Sequence, residues 1–130
     1  MLDTNIVSQF IRGHRHVDHR ILSTPMHEMV ISSITAAELL YGLARRPQAT
    51  NLHALVMQFL ERIDTLPWDF TVASVYASLR ADQESSGQLM SSLDMLIAAH
   101  AIATNAILVS NDGAFAKVEG LKVSDWTLAD

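Results

Sequence analysis

Apolar residues recur along the chain with two spacings, one typical of strands and the other of helices. Short runs rich in β-branched and apolar residues predict four strands, at residues 29–34, 63–66, 106–109 and 121–123. Apolar positions three and four apart predict helices between them, at about residues 36–46, 52–63, 69–86 and 93–103. We expect Gly87 to end the helix at residues 69–86. We expect the turn residues 110–113 to end the strand at residues 106–109.

The order of these elements predicts the architecture. Strands and helices alternate throughout, which favours a parallel sheet between two helical layers, a three-layer α/β/α arrangement. Residues 1–2 are short for a first strand, although Asp3-Thr4-Asn5 is typical of a strand end that turns into a helix. Either a residue or two precedes them, or the first strand is stunted.

Composition limits the protein class. The chain has 130 residues, of which 49% are hydrophobic, so residues 1–130 are expected to form a single domain with one core. It contains no cysteine, no apolar run long enough to span a membrane and no signal-peptide pattern. We therefore expect a cytoplasmic protein. The net charge of −5 repels phosphate backbones overall. A local basic surface is still possible, because five of the nine Lys and Arg residues lie within residues 1–46: Arg12, Arg15, Arg20, Arg45 and Arg46.

Four acidic residues fall where a ligand site is expected. Ligands of open α/β sheets bind at the carboxyl ends of the strands. Asp3 follows the first strand, Glu38 lies one turn past the second, Asp94 begins a buried helix, and Asp112 follows a later strand. Clustered carboxylates repel one another and suit a hard cation such as Mg²⁺ or Mn²⁺, which assists phosphodiester hydrolysis. The pattern therefore indicates a metal-dependent hydrolase.

Each acid also has a purely structural interpretation. Thr35-Ala36-Ala37-Glu38 and Ser91-Ser92-Leu93-Asp94 both have capping-box spacing. Asp3 is suited to a helix N-cap and Asp112 to a turn. For each acid alone the structural interpretation is the simpler one, and the argument for a site depends on all four together.

Four segments that contain these acids resemble the PIN-domain nucleases, and in particular the VapC toxins of bacterial toxin-antitoxin pairs. The segments are Leu2-Asp3-Thr4-Asn5-Ile6, residues 31–35 with Glu38-Leu39-Leu40-Tyr41-Gly42, residues 94–101, and Val109-Ser110-Asn111-Asp112. The resemblance covers essentially the whole chain. It implies a five-stranded parallel sheet flanked by helices and endonucleolytic cleavage of RNA.

The resemblance also assigns roles to residues. It implies that Asp3 and Asp94 are the principal ligands of Mg²⁺ or Mn²⁺, with Glu38 and Asp112 completing the cluster directly or through water. Thr4, Asn5, Ser110 and Asn111 become supporting polar residues. Residues 88–92 lack the proline and glycine that many relatives carry there, so we expect the loop before Asp94 to differ in shape.

Products and partners are implied in the same way. In-line attack on phosphorus is expected to leave a 5′-phosphate and a 3′-hydroxyl, on an RNA that by analogy is a tRNA. A homodimer and a cognate VapB-type antitoxin that inhibits the enzyme are also implied.

Other interpretations remain open. A phosphoryl-transfer domain with an aspartyl nucleophile is less favoured, because Asp3 is not followed by a second Asp two residues later. A binding module whose carboxylates only cap helices is the other alternative.

Several further side chains have less direct interpretations. The three histidines His14, His16 and His19, around Asp18, suggest a second metal site, although exposed histidines on a loop or short helix are the simpler prediction. His100 is predicted to be packed or at an interface. Trp68, Tyr76 and Trp126 are predicted to be core or rim residues.

Overall fold

Pairs of α-helices precede each of the first three short parallel strands along residues 1–129, the part of the chain that this computed structural model describes. The six α-helices are α1 (Thr4–Ile11), α2 (Arg15–Ser23), α3 (Ser33–Ala44), α4 (Thr50–Arg62), α5 (Phe70–Ser86) and α6 (Ser92–Ala103). The four strands are β1 (Val30–Ser32), β2 (Asp64–Leu66), β3 (Leu108–Val109) and β4 (Val123–Ser124). Single 3₁₀ turns occupy Met26–Glu28 and Gly113–Lys117. No helix among the described residues is long and apolar enough to cross a membrane.

Short polar side chains determine where the helices begin. The side chains of Asp3, Ser32, Asp69 and Ser91 accept hydrogen bonds from backbone N–H groups at the starts of α1, α3, α5 and α6. At the other end of α5, Gly87 adopts a φ of 72°, a left-handed conformation that glycine reaches without a steric penalty. The predicted end of that helix is confirmed.

The strands form two parallel pairs, β1 with β2 and β3 with β4. Met1–Asp3 lies between the pairs: the Leu2 N–H donates to the Val30 carbonyl at 2.9 Å, and the Val109 N–H donates to the Met1 carbonyl at 2.8 Å. Leu2 forms one parallel bridge with Val109. Residues 1–3 therefore extend alongside both strand pairs, and the parallel α/β architecture is confirmed.

Two hydrophobic clusters lie on opposite faces of these strands. Leu2 and Val109 belong to the cluster beneath α1 to α4, whereas their neighbours Met1 and Leu108 belong to the cluster beneath α5 and α6. Successive residues of a strand point to opposite faces, so this alternation places helices on both sides of the strands. Both clusters leave the carboxyl ends of the strands free for polar residues.

Some predicted boundaries are wrong. The strand predicted over residues 29–34 ends at Ser32, because the Ser32 hydroxyl accepts the Ile34 N–H at 3.0 Å and starts α3 there. Glu38 therefore lies in the second turn of α3, and the capping box predicted for Thr35 and Glu38 is wrong. The last predicted strand, 121–123, is shifted to Val123–Ser124, and residues 106–107 precede β3.

Candidate active site

The four predicted acids all lie at the strand-end edge or in the first two turns of a helix. Asp3 follows the Leu2 bridge, Glu38 lies on the helix after β1, and Asp112 stands three residues after β3. Asp94 lies in the first turn of α6. Position along the chain thus predicted their placement in the fold.

Asp3 is the most enclosed of the four, with 4% of its surface exposed. Its Oδ1 accepts the Ile6 N–H at 2.9 Å and caps α1. Burial raises the pKa of the Asp3 carboxyl above its ordinary value, hydrogen bonds from the Ser110 side chain and the Ile6 N–H lower it, and the charges of Asp94 and Asp112 raise it again.

Asp94 and Asp112 share this electrostatic environment. Burial raises the pKa of the Asp94 carboxyl, a hydrogen bond from the Ser91 side chain lowers it, and the charge of Asp112 raises it. Asp112 Oδ1 accepts the Ala114 N–H at 2.9 Å and so caps the turn that follows. Three carboxylates from distant parts of the chain therefore act on one another through space.

Glu38 approaches the site from the side of Thr4. The Thr4 hydroxyl donates to Glu38 Oε1 at 2.6 Å and also lies 3.3 Å from the Thr35 hydroxyl. Thr4 adjoins Asp3 in the chain, so this hydrogen bond links the starts of α1 and α3 beside the buried carboxylate. Glu38 is connected to the other acids through Thr4 and does not cap its own helix.

The carboxylates are electrostatic neighbours but not a closed cage of ligands. Among residues 1–129, no group of three or more His, Cys, Asp or Glu side chains is arranged closely enough to hold a metal ion. The donor set nevertheless fits a hard divalent cation: it is all oxygen, two of its members have pKa values raised by burial, and their charges repel. A cation bound by these acids would relieve that repulsion.

A family match decides the classification. The PIN domain family matches residues 1–121. The chain belongs to the PIN-domain family. It is 32% identical over 128 residues to the tRNA(fMet)-specific endonuclease VapC of Shigella flexneri, covering 98% of this chain and 97% of that protein. It is 33% identical over 129 residues to ribonuclease VapC2 of Rickettsia felis, covering 97% and 96% respectively.

Solved structures agree with this PIN-domain classification. The chain is similar to a protein in the crystal structure of VapBC2 from Rickettsia felis bound to a DNA fragment from their promoter, with a TM-score of 0.88, 32% identity and 97% coverage of each chain. The predicted resemblance to PIN-domain nucleases and VapC toxins is confirmed.

The predicted supporting residues of the PIN domain divide into two groups. Ser110 is 2% exposed, contacts the Asp3 carboxylate through its hydroxyl, and accepts the Asp112 N–H at 3.0 Å. With Thr4, it holds carboxylates in place. Asn5 and Asn111 are exposed, and within residues 1–129 their side chains make no hydrogen bond to the four acids.

Two contacts of the PIN domain were not predicted from the sequence. Thr35, interpreted as a helix cap, is fully buried beside Thr4, and Ser32 bonds to His100, with 2.7 Å between Ser32 Oγ and His100 Nδ1. Hydroxyl residues at the end of a buried strand are the signal that could have identified them.

The remaining sequence candidates behave as structural residues. His100 and Trp126 are buried, and the rings of Trp68 and Tyr76 pack edge-on with centroids 5.9 Å apart, as predicted. His14 caps α2, and within the described residues the His14, His16 and His19 segment forms no metal-binding group.

Proposed function

We propose that this PIN-domain chain is a metal-dependent endoribonuclease of the VapC kind. The observation that carries the proposal is the buried Asp3 carboxylate, whose pKa is raised by burial and by the charges of Asp94 and Asp112. Carboxylates that repel one another give a protein no stability by themselves, whereas a site for a divalent cation needs several of them close together.

Asp3 and Asp94 are the proposed principal ligands of Mg²⁺ or Mn²⁺, with Asp112 and Glu38 completing the site directly or through water. The bound cation would acidify water and neutralise charge on a phosphoryl oxygen, which assists hydrolysis of a phosphodiester. The Thr4 hydroxyl donates to Glu38 Oε1 and so orients that carboxylate, while the side chains of Ser110 and Ser91 lower the pKa values of the Asp3 and Asp94 carboxyls.

RNA is the proposed substrate, because relatives that match nearly the whole chain are named as a tRNA(fMet)-specific endonuclease and a ribonuclease. A tRNA is therefore the first substrate to test.

We further propose that the protein acts in the cytoplasm, that it forms a homodimer, and that its 130 residues form one domain.

A VapB-type antitoxin is the proposed inhibitor, since the similar solved structure is a VapBC assembly. A cleft with a volume of about 550 Å³ between α1, α2 and α4 supports this. The exposed apolar side chains Leu22, Met26 and Leu55 line it, and exposed apolar surface of this kind marks protein interfaces.

We also propose a five-stranded parallel sheet in which Met1–Asp3 is the central strand, between β1 and β3. Hydrogen bonds of Met1–Asp3 to both neighbours support this order. Protection of the Leu2, Asp3 and Val109 amides in hydrogen exchange, comparable with that of β1, would test it; rapid exchange at all three would contradict it.

Cleavage of labelled tRNA tests the enzyme. Wild type should cleave with Mg²⁺ or Mn²⁺ and not with EDTA, leaving a 5′-phosphate and a 3′-hydroxyl. Asp3→Asn and Asp94→Asn should each lower kcat/KM by at least about a hundredfold, because loss of a metal ligand removes several kcal/mol of transition-state stabilisation.

Asp64→Asn is the matched control, because Asp64 is an exposed acid at the start of β2 and away from the site. It should retain wild-type activity. Cleavage retained in both site variants would exclude the proposed mechanism, and absence of cleavage in wild type with either metal would favour the binding module.

A further inference from the structure

A second cleft begins at the acidic site and ends among arginines. It has a volume of about 220 Å³, lies between α1, α3 and α4, and extends from Thr4 and Glu38 to Arg12, Arg45 and Arg46. Leu43 and Val56 are among the apolar residues that line it. The three guanidinium groups outnumber the one carboxylate in this cleft, so it is locally basic in a chain whose net charge is −5.

Helix geometry explains why these arginines converge. α1 and α3 both start at the acidic site, where Thr4 and Glu38 are hydrogen-bonded. Arg12 is the C-cap of α1 and Arg45 that of α3. At 1.5 Å per residue, Arg12 lies about 12 Å along the axis from Thr4, and Arg45 about 10 Å from Glu38 on almost the same face.

Gly42 lies between Glu38 and Arg45 along the wall of this cleft. It lies one turn after Glu38, lines the cleft, and a Cβ built on it would meet no atom within 4 Å. Glycine inside a helix costs about 0.5–1 kcal/mol relative to alanine. No packing contact requires glycine here, and without a side chain it leaves this part of the cleft wall as bare backbone.

The arginines are available to bind an anion. All three are exposed, and within residues 1–129 no acidic side chain forms an ion pair with any of them. Arg45 lies over the ring of Tyr41, with its guanidinium carbon 5.6 Å from the ring centroid, which orients the group and leaves its N–H donors unused. Cations also stabilise helix C-termini, but only by about 0.3–1 kcal/mol each, and that role requires no shared cleft.

We propose that Arg12, Arg45 and Arg46 bind the RNA phosphates that flank the cleaved bond and so position the substrate at the carboxylates. The inference rests on the proposed function, because it takes RNA as the substrate. Phosphate is favoured over a protein partner by the charge of this cleft and by its continuity with the acidic site, whereas the apolar cleft beside α2 suits a peptide.

Binding of fluorescent tRNA measures this role without cleavage. Every protein in this assay carries Asp94→Asn and is kept in EDTA, and affinity is followed across a salt series. The variant with both Arg45→Gln and Arg46→Gln should bind about tenfold more weakly for each guanidinium removed, the effect expected for a lost charge-assisted hydrogen bond. The slope of log K against log salt should fall by about 0.7–0.9 for each phosphate contact.

Two control variants separate a phosphate contact from general charge. The variant with both Arg15→Gln and Arg80→Gln removes the same charge outside the cleft and should leave affinity and slope near those of the parent. The variant with both Arg45→Lys and Arg46→Lys keeps the charge and should retain most of the slope. In cleavage assays with Asp94 intact, the glutamine pair should raise KM with little change in kcat.

The inference is overturned if the glutamine pair at 45 and 46 binds tRNA with the same affinity and slope as the pair at 15 and 80. It is also overturned if the cleft variant loses only binding to poly-glutamate, which would indicate an acidic protein partner. Because the binding assay contains no metal and no cleavage, its result is separate from the proposed function, which fails if Asp3→Asn and Asp94→Asn both still cleave RNA.

Discussion

At the scale of single residues, Asp3 serves two roles with different requirements. As the N-cap of α1 it needs only an acceptor oxygen, which an amide supplies as well as a carboxylate does. As a metal ligand it needs charge, and that charge is unfavourable where only 4% of the side chain is exposed. A carboxylate at this position therefore costs stability until a cation neutralises it.

Asp3→Asn should consequently stabilise the metal-free protein. The asparagine keeps the cap and removes the buried charge, so the melting temperature in EDTA at pH 7 should rise while cleavage is lost. Thermal unfolding of both proteins measures this, and Asp64→Asn, at an exposed position, should change unfolding free energy by no more than about 0.5 kcal/mol.

The pH dependence of this difference follows from the sign of the shift. The folded-state pKa of Asp3 is raised above its ordinary value of 3.8, so the folded protein holds a proton more tightly than the unfolded chain. The wild type then gains stability as the pH falls through that raised pKa towards 3.8. The advantage of Asp3→Asn should therefore shrink on acidification, and an advantage that grew instead would contradict burial of the charge.

The sequence predicted the placement of the four acids better than their contacts. Strand-end position was enough for Asp3 and Asp112, and the start of a buried helix for Asp94, because the topology brings these points towards one edge. The contact between Thr4 and Glu38 joins two helices, and no spacing along the chain encodes it. The cap of α3 was misassigned because Ser32, Ser33 and Thr35 are all suitable caps; Ser32 caps the helix, and its hydroxyl also contacts His100 on α6.

At the scale of elements, helix prediction was more accurate than strand prediction. α5 lies within one residue of its predicted limits because helical spacing, the Asp69 cap and Gly87 all agree. β3 and β4 have two residues each, too few for alternation to define their limits. α6 was predicted as buried on every face, and Ile97 to Ala101 are all buried.

His100 connects two of these elements through a buried polar contact. It lies on α6 and is 1% exposed, and its Nδ1 is 2.7 Å from the Ser32 hydroxyl that caps α3. Burial lowers the pKa of His100, an effect that the charge of Asp69 partly opposes. The Nε2 atom has no hydrogen-bond partner among the described residues, so protonation would add an unsatisfied buried charge.

The contribution of His100 to the free energy of unfolding should therefore fall as the pH drops below about 6.5. In that range His100 binds a proton more readily in the unfolded chain than in the folded protein. Its contribution to the free energy of unfolding therefore increases with pH. Urea denaturation between pH 7.5 and 5.5 measures the slope, to which one histidine contributes at most about 1.4 kcal/mol per pH unit.

His100→Gln should lower stability at pH 7.5 but reduce this slope. His27→Gln, at an exposed position, should leave the slope as in wild type. Equal slopes in wild type and His100→Gln would show that the histidine is not kept neutral by burial.

At the scale of the whole molecule, stability and function are located in different regions. The two hydrophobic clusters lie beneath the helical layers, whereas the repelling carboxylates meet at the edge where the strands end. The clusters supply the free energy that maintains this unfavourable edge. Binding a cation there should stabilise the complete fold, because the unfolded chain does not bring Asp3, Asp94 and Asp112 together.

Added Mg²⁺ or Mn²⁺ should accordingly raise the melting temperature of the wild type. At a free metal concentration ten times Kd the gain is about 1.4 kcal/mol, which for a chain of this size is a rise of about 3–6 °C. Asp94→Asn should reduce the rise because it removes a ligand, whereas Asp64→Asn should keep it. Potassium chloride at matched ionic strength should not reproduce the effect, since screening alone leaves the buried Asp3 charge almost untouched. A melting temperature that is unchanged at millimolar Mg²⁺ and Mn²⁺, or one that rises equally in Asp94→Asn, would mean that these carboxylates serve as helix caps and not as a metal site.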